Sequence, residues 1–168
     1  MKNGAYLSVT RRQRLAPYAA LIITFLLYPL SISAQEQVTK WADVTSYATA
    51  LANPAIATVD AFRSGPQKTC QLTRIALSEG IANGLVMTMK HFIVSPRPCL
   101  GCAPDGMPSG HSANSMIGSS GWRYGFMFGV STGTLRVEAN RHYTKQVVAG
   151  LTIGALSEWA GHLVKCGP

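Results

Sequence analysis

Residues 70–98 read CQLTRIALSEGIANGLVMTMKHFIVSPRP, and this stretch decides the fold class. Leu72, Ile75, Ala76, Ala82, Leu85, Val86, Met89 and Ile93 recur at steps of three and four, the spacing that gathers side chains on one face of an α-helix. The helix has to end by Ser95. Pro96 disfavours the α conformation in the residue before it, and Pro98 follows at once. Lys90 then falls in the last helical turn and Arg97 in the loop beyond.

Working towards the C-terminus, Cys99 to Met107 holds two glycines, a proline and an aspartate and reads as a loop. Pro108-Ser109 opens the next helix, with Ser109 as its N-cap and Gly110 allowing close approach of the backbone. That helix is short, because Gly118-Ser119-Ser120-Gly121 breaks the pattern. Trp122 to Leu135 resumes it as an apolar helix ending at Arg136. A last helix begins near His142 and carries Val147, Val148, Leu151, Ile153, Leu156, Trp159 and Leu163, with Gly150, Gly154 and Gly161 small enough for close packing. Towards the N-terminus, Trp41, Val44, Tyr47, Leu51 and Ile56 recur at helical intervals. Pro54 predicts two short helices or one kinked helix there, ending near Arg63-Ser64-Gly65-Pro66. No alternating run appears, so the expected fold is all-α, a compact helical bundle. At 168 residues without an internal repeat it forms one domain.

Before that domain, Arg11, Arg12 and Arg14 precede an uncharged run from Leu15 to Leu30, followed by Ser31-Ile32-Ser33-Ala34. This is the layout of a secretory signal peptide over residues 1–34, leaving residues 35–168 as the mature domain. The alternative is an uncleaved N-terminal anchor in the inner membrane, since the apolar run is at the low edge of a spanning length. Half of the formal net charge of +8 belongs to Lys2, Arg11, Arg12 and Arg14. The remaining cations form no stripe interleaved with aromatics, which argues against a nucleic-acid partner.

Export would expose Cys70, Cys99, Cys102 and Cys166 to an oxidising compartment, and an even count favours two disulfides. Three connectivities are open to four cysteines. The pairing adopted is Cys99 with Cys102 locally and Cys70 with Cys166 tying the last helix back. A zinc half-site or a redox pair at Cys99-x-x-Cys102 lacks the second ligand pair or the βαβ setting that either needs. No metal and no cofactor are expected. His91 and His162 read as structural, and Trp41, Trp122 and Trp159 as core or interface aromatics.

Three polar clusters remain: Lys90 to Pro98, Pro108-Ser109-Gly110-His111, and Arg136 to His142. Lys90, Arg97 and Arg136 offer the cations, and Arg the planar fork, that suit phosphoryl oxygens. Backbone N–H groups after Ser109-Gly110 would add donors and a helix dipole. Read in order as K-x6-R-P, P-S-G-H and R-x5-H, the clusters resemble the signature of the type 2 phosphatidic acid phosphatase superfamily, in its bacterial, histidine-nucleophile branch. The resemblance covers about Cys70 to the C-terminus. It implies a bundle of that superfamily's kind in the periplasm or otherwise exported. It also implies a metal-independent phosphatase acting on phosphate monoesters or lipid-linked phosphates, with membrane association as one setting. By the same resemblance, His142 is the nucleophile that forms a phosphohistidine and His111 the acid for the leaving oxygen. Lys90, Arg97, Ser109, Gly110 and Arg136 bind phosphate.

Two departures stand out. The third motif of the family continues histidine-x3-aspartate, and this chain has Gln146. If a helix starts at His142, Gln146 lies one turn along, and its amide oxygen can accept the ring N–H without compensating its charge. Glu138 is a candidate substitute carboxylate, and restoring one with Gln146→Asp should raise phosphoryl transfer. The link from His111 to Arg136 is also short for the family. The second reading is therefore a degenerate member that binds phosphate or a lipid head group with little or no turnover.

Overall fold

The computed structural model describes residues 34–167, so the signal-peptide reading of residues 1–34 lies outside the described residues except for Ala34. The helices are α1 (Ala34–Arg63), α2 (Lys68–Phe92), α3 (Gly110–Asn114), α4 (Gly125–Glu138) and α5 (Thr144–His162). Short 3-10 turns occupy Gly65–Gln67 and Ser119–Gly121. The described residues contain no strand, only an isolated parallel bridge between Ser95 and Asp105. The all-α expectation holds at that level.

Helix α2 runs as the periodicity predicts. Its last bond is Ile93 N–H to the Met89 carbonyl at 2.8 Å, after which Ile93 is extended and the prolines take over. Of the two alternatives at Pro54, the single helix is the one observed, because α1 passes through Pro54 as one element. Proline removes one helical hydrogen bond and crowds the preceding turn. The packing of α1 along α4 and α2 overrides that local preference. The neighbouring Asn53 is fully buried and anchors α1: its amide nitrogen donates to the carbonyls of Ser115 and Gly125, and its oxygen accepts from the Trp122 indole at 2.8 Å. This pins the 115–125 link and explains why α4 starts at Gly125 rather than at Trp122.

The bundle pairs α1 with α4 and α2 with α5, and α3 sits chiefly against α5. Small residues make this possible. A Cβ at Gly150 would stand 2.3 Å from the Ser109 carbonyl oxygen, and one at Gly154 would stand 2.1 Å from that of Ala113, so α3 lies directly on the α5 backbone. The core is accordingly built of Ala50, Ala82, Val86, Ala113, Ile117 and Val147 with buried hydroxyls such as Ser46, Ser112, Ser115 and Thr132. Several large apolar side chains face outward, among them Phe92, Phe126, Met127, Leu156 and Trp159. The exposure of Trp159 removes it from the core. Among the described residues, no helix is long and apolar enough to cross a membrane.

Both disulfides pair as the sequence reading has them, Cys70 with Cys166 and Cys99 with Cys102, which leaves no free cysteine. Glu158 and His162 also have packing roles. Glu158 is buried, accepting from Gly118 N–H at 2.9 Å and from the Ser120 hydroxyl at 2.7 Å, with His162 Nε2 beside it at 3.3 Å.

Candidate functional site

The C-terminal end of α2, the start of α3 and the end of α4 converge on a cavity of about 440 Å³. Lys90, Arg97, Gly110, His111, Arg136 and His142 all line it, together with Tyr47, Leu51 and Met87 at its apolar margin. The three sequence clusters thus meet in space.

Local structure accounts for each placement. Lys90 is in the last turn of α2, where a cation complements the helix dipole. Arg136 is in the last turn of α4. Asn140 then takes a left-handed conformation at φ 52°, which asparagine tolerates better than most residues. The resulting reversal returns the N–H groups of Arg141 and His142 to the Arg136 carbonyl at 3.1 and 3.2 Å. Arg136 and His142 are therefore adjacent because of a turn, and α5 starts two residues later than the sequence suggests.

His142 is 2 % exposed, and the bonds of its ring fix its tautomer. Nδ1 lies 2.9 Å from the Gly106 carbonyl oxygen and 3.2 Å from Gln146 Oε1. The orientation of the Gln146 amide is itself determined: Oε1 accepts from Tyr143 N–H at 2.9 Å, and Nε2 donates to Ser95 Oγ at 2.9 Å and to the Pro96 carbonyl at 2.8 Å. Both neighbours of Nδ1 are acceptors, so Nδ1 carries the hydrogen and Nε2 keeps its lone pair. Burial, with the charges of Arg136 and Arg97, lowers the His142 pKa to about 4 against the opposing bonds to Gln146 and Gly106. Gln146 thus contacts His142 as expected, but as the more distant of two acceptors, and from the third position of α5, where its side chain also accepts from the N–H of the N-cap Tyr143.

His111 is the second residue of α3, half-buried, with Tyr47 edge-on at 4.3 Å between ring centroids. Burial and the Arg136 charge lower its pKa to about 4. Helix α3 has only five residues, so the dipole assigned to this helix start is small. Ser109 is brought near the site but does not line the cavity. It is completely buried, its N–H donates to the Gln146 carbonyl at 3.0 Å, and its Oγ accepts from Ser112 N–H at 3.4 Å and Ser112 Oγ at 2.9 Å. Ser109 is the N-cap that the sequence predicts. Gly110 does face the cavity, where a Cβ would make only ordinary contact with Val86 at 3.5 Å.

Sequence reasoning missed the carboxylates that hold the cations. Arg136 is 2 % exposed and donates through Nη1 to Asp43 Oδ1 at 2.7 Å and to Ser46 Oγ at 3.2 Å. Arg141 bonds the other oxygen of Asp43 at 2.7 Å. Asp105 Oδ1 accepts from Arg97 Nε at 3.0 Å and Nη2 at 2.9 Å, and Lys90 Nζ contacts the Asp105 carbonyl and Oδ2, the latter at 3.4 Å. Glu138 is not among the groups bonded to His142. A signal for the two aspartates existed, because the chain has only seven acidic residues to balance cations that must share one site. Among the described residues, no group of three or more His, Cys, Asp or Glu side chains could hold a metal ion.

Comparison with protein-family models, curated proteins and solved structures finds no match to this chain. The likeness to a family therefore rests on the three motifs quoted above.

Proposed function

We propose that this chain is a metal-independent phosphatase of the type 2 phosphatidic acid phosphatase kind, hydrolysing phosphate monoesters or lipid-linked phosphates through a phosphohistidine. The observation that carries the reading is the meeting of three cations and two neutral imidazoles, drawn from three separate stretches of the chain, on one cavity. Arg136 Nε is buried without a partner, and a phosphoryl oxygen is the kind of acceptor that this donor lacks. Two disulfides fit an exported protein in the periplasm, and an inner-membrane anchor at the N-terminus is the alternative setting.

In this mechanism Lys90, Arg97 and Arg136 neutralise the phosphoryl oxygens. His142 Nε2 attacks phosphorus, and the P–N bond forms as the ester P–O bond breaks. His111 gives its proton to the departing oxygen. Water then attacks phosphorus, His111 takes the proton from that water, and cleavage of P–N releases inorganic phosphate. Both imidazoles are neutral in the free site. The proton that His111 uses therefore arrives with the substrate, whose negative charge raises the affinity of the ring for it.

The phosphorylated His142 is cationic with Nδ1–H retained, and its acceptors Gly106 and Gln146 orient that hydrogen without supplying negative charge. This favours the second reading, a phosphate or head-group binder with little turnover. Hydrolysis of a chromogenic phosphate monoester by the full chain and by His142→Ala tests both. A loss of at least about 10³-fold in the variant is expected of the enzyme. Equal rates would remove the enzyme reading, and phosphate binding without hydrolysis by the unaltered chain would select the binder.

A further inference from the structure

We infer that Asp105, together with the backbone of Gly106, is the positioning element of this site: one short loop holds two phosphate-binding cations with a carboxylate and the nucleophilic ring with a carbonyl. The inference rests on the phosphate-site reading given above and adds a role for residues that the motifs do not contain.

The loop from Ser95 to Met107 is closed on itself. Ser95 N–H donates to the Pro104 carbonyl at 2.9 Å and Gly106 N–H to the Ser95 carbonyl at 2.8 Å, while Cys99–Cys102 ties the intervening turn. Gln146 clamps the same loop through Ser95 Oγ and the Pro96 carbonyl. A Cβ at Gly106 would lie 2.4 Å from Gln146 Nε2, so the loop backbone is seated on that amide. The backbone of Asp105 is thereby fixed, and its side chain lies beside the cavity without lining it.

That position separates two roles for a carboxylate among cations. A competitor for phosphate would stand in the cavity, whereas Asp105 takes one edge of the Arg97 guanidinium and leaves its other donors to the cavity. Asp43 holds Arg136 from α1 more loosely, through Nη1 alone, which also donates to Ser46 Oγ. A guanidinium held on one edge loses fewer rotamers when a phosphate binds the other.

Asp105 also governs the charge of Lys90. Burial lowers the pKa of Lys90, Asp105 opposes that shift, and Arg97 and Arg136 reinforce it. Desolvation pushes Asp105 itself upward, but the charges of Lys90 and Arg97 and their hydrogen bonds outweigh it and hold the carboxyl below its usual value. His111 is the further titratable group that senses Lys90. Removing the Asp105 charge leaves Lys90 facing Arg97, Arg136 and His111 with no carboxylate, so its pKa falls further.

Calorimetric titration of inorganic phosphate into the full chain tests this, with Arg97→Ala, Asp105→Asn and Asp105→Glu as variants. Above about pH 8 the phosphate is a constant dianion, so the alkaline decline of binding reports on the protein. Asp105→Asn is expected to weaken binding about tenfold and to move that decline about one pH unit lower, with Asp105→Glu restoring the decline because it restores the charge. A change of packing alone would not shift the alkaline limb, and thermal melting of each variant reports its folding. If the unaltered chain and Arg97→Ala bind phosphate differently but Asp105→Asn binds like the unaltered chain, or more tightly, the positioning role is overturned and the phosphate site stands. Absence of phosphate binding by the unaltered chain overturns both.

Discussion

At position 146 an amide supplies what a carboxylate cannot, two N–H donors directed at Ser95 Oγ and the Pro96 carbonyl. The residue is fully buried, so these donors have no solvent to replace them. From sequence, Gln146→Asp should restore a charge to His142 and raise activity. The geometry reverses that expectation, because Asp is one methylene shorter, donates nothing when ionised, and would set a negative charge near the acceptors that Nε2 now satisfies. Chemical denaturation of Gln146→Asp should show a loss of about 2–3 kcal/mol with no gain in phosphomonoesterase rate. A faster and equally stable variant would show instead that the site tolerates a carboxylate there. The difference was not legible in sequence. Motif spacing says which residue can reach His142 from a helix, but the partners on the far side of Gln146 lie about fifty positions away in the chain.

At the scale of elements, the glycines divide into those that the bundle requires and those that it does not. Gly154 lets the Ala113 carbonyl lie against α5, and a Cβ there would be 2.1 Å from that oxygen. Gly84 is exposed in the middle of α2 with nothing within 4 Å of an added Cβ. Thermal unfolding should therefore show opposite signs. Gly154→Ala loses about 1–3 kcal/mol by overpacking and displaces α3 with His111, whereas Gly84→Ala gains about 0.5–1 kcal/mol by removing backbone freedom from the unfolded chain. Equal effects would mean that α3 is not seated on α5 as described. The periodicity of α2, the short α3 and the Ser109 cap were all readable from neighbouring residues. The choice between one helix and two at Pro54 was not, because it depends on packing against α4 and α2.

For the whole molecule, the Cys70–Cys166 bond joins the start of α2 to the end of the chain across a sequence separation of 96. The core beneath it consists largely of alanines, small aliphatics and hydroxyls, so less apolar area is buried per residue than in a leucine-rich bundle. The double variant Cys70→Ser/Cys166→Ser should lose about 2–4 kcal/mol in chemical denaturation, since a long closed loop restricts the unfolded chain strongly. It should keep the cavity lined by Lys90, Arg97, His111, Arg136 and His142, which neither cysteine lines. Unchanged stability would mean that the bond adds nothing to the packing of α2 on α5.

The sequence by itself determined the helical class, the end of α2 at the prolines, the Ser109 cap and the identity of the cations and histidines that line the cavity. These follow from local chemistry: side-chain period, backbone restriction and short motifs. Only the tertiary structure decided that Asp43 and Asp105 hold those cations, that a backbone carbonyl and an amide fix the His142 tautomer, and that Ser109 caps α3 without lining the cavity. Such pairings join residues distant in the chain, and an ion pair or a carbonyl contact leaves no periodic trace. They are set when the helices close on one another and each buried donor takes the acceptor that the fold brings to it.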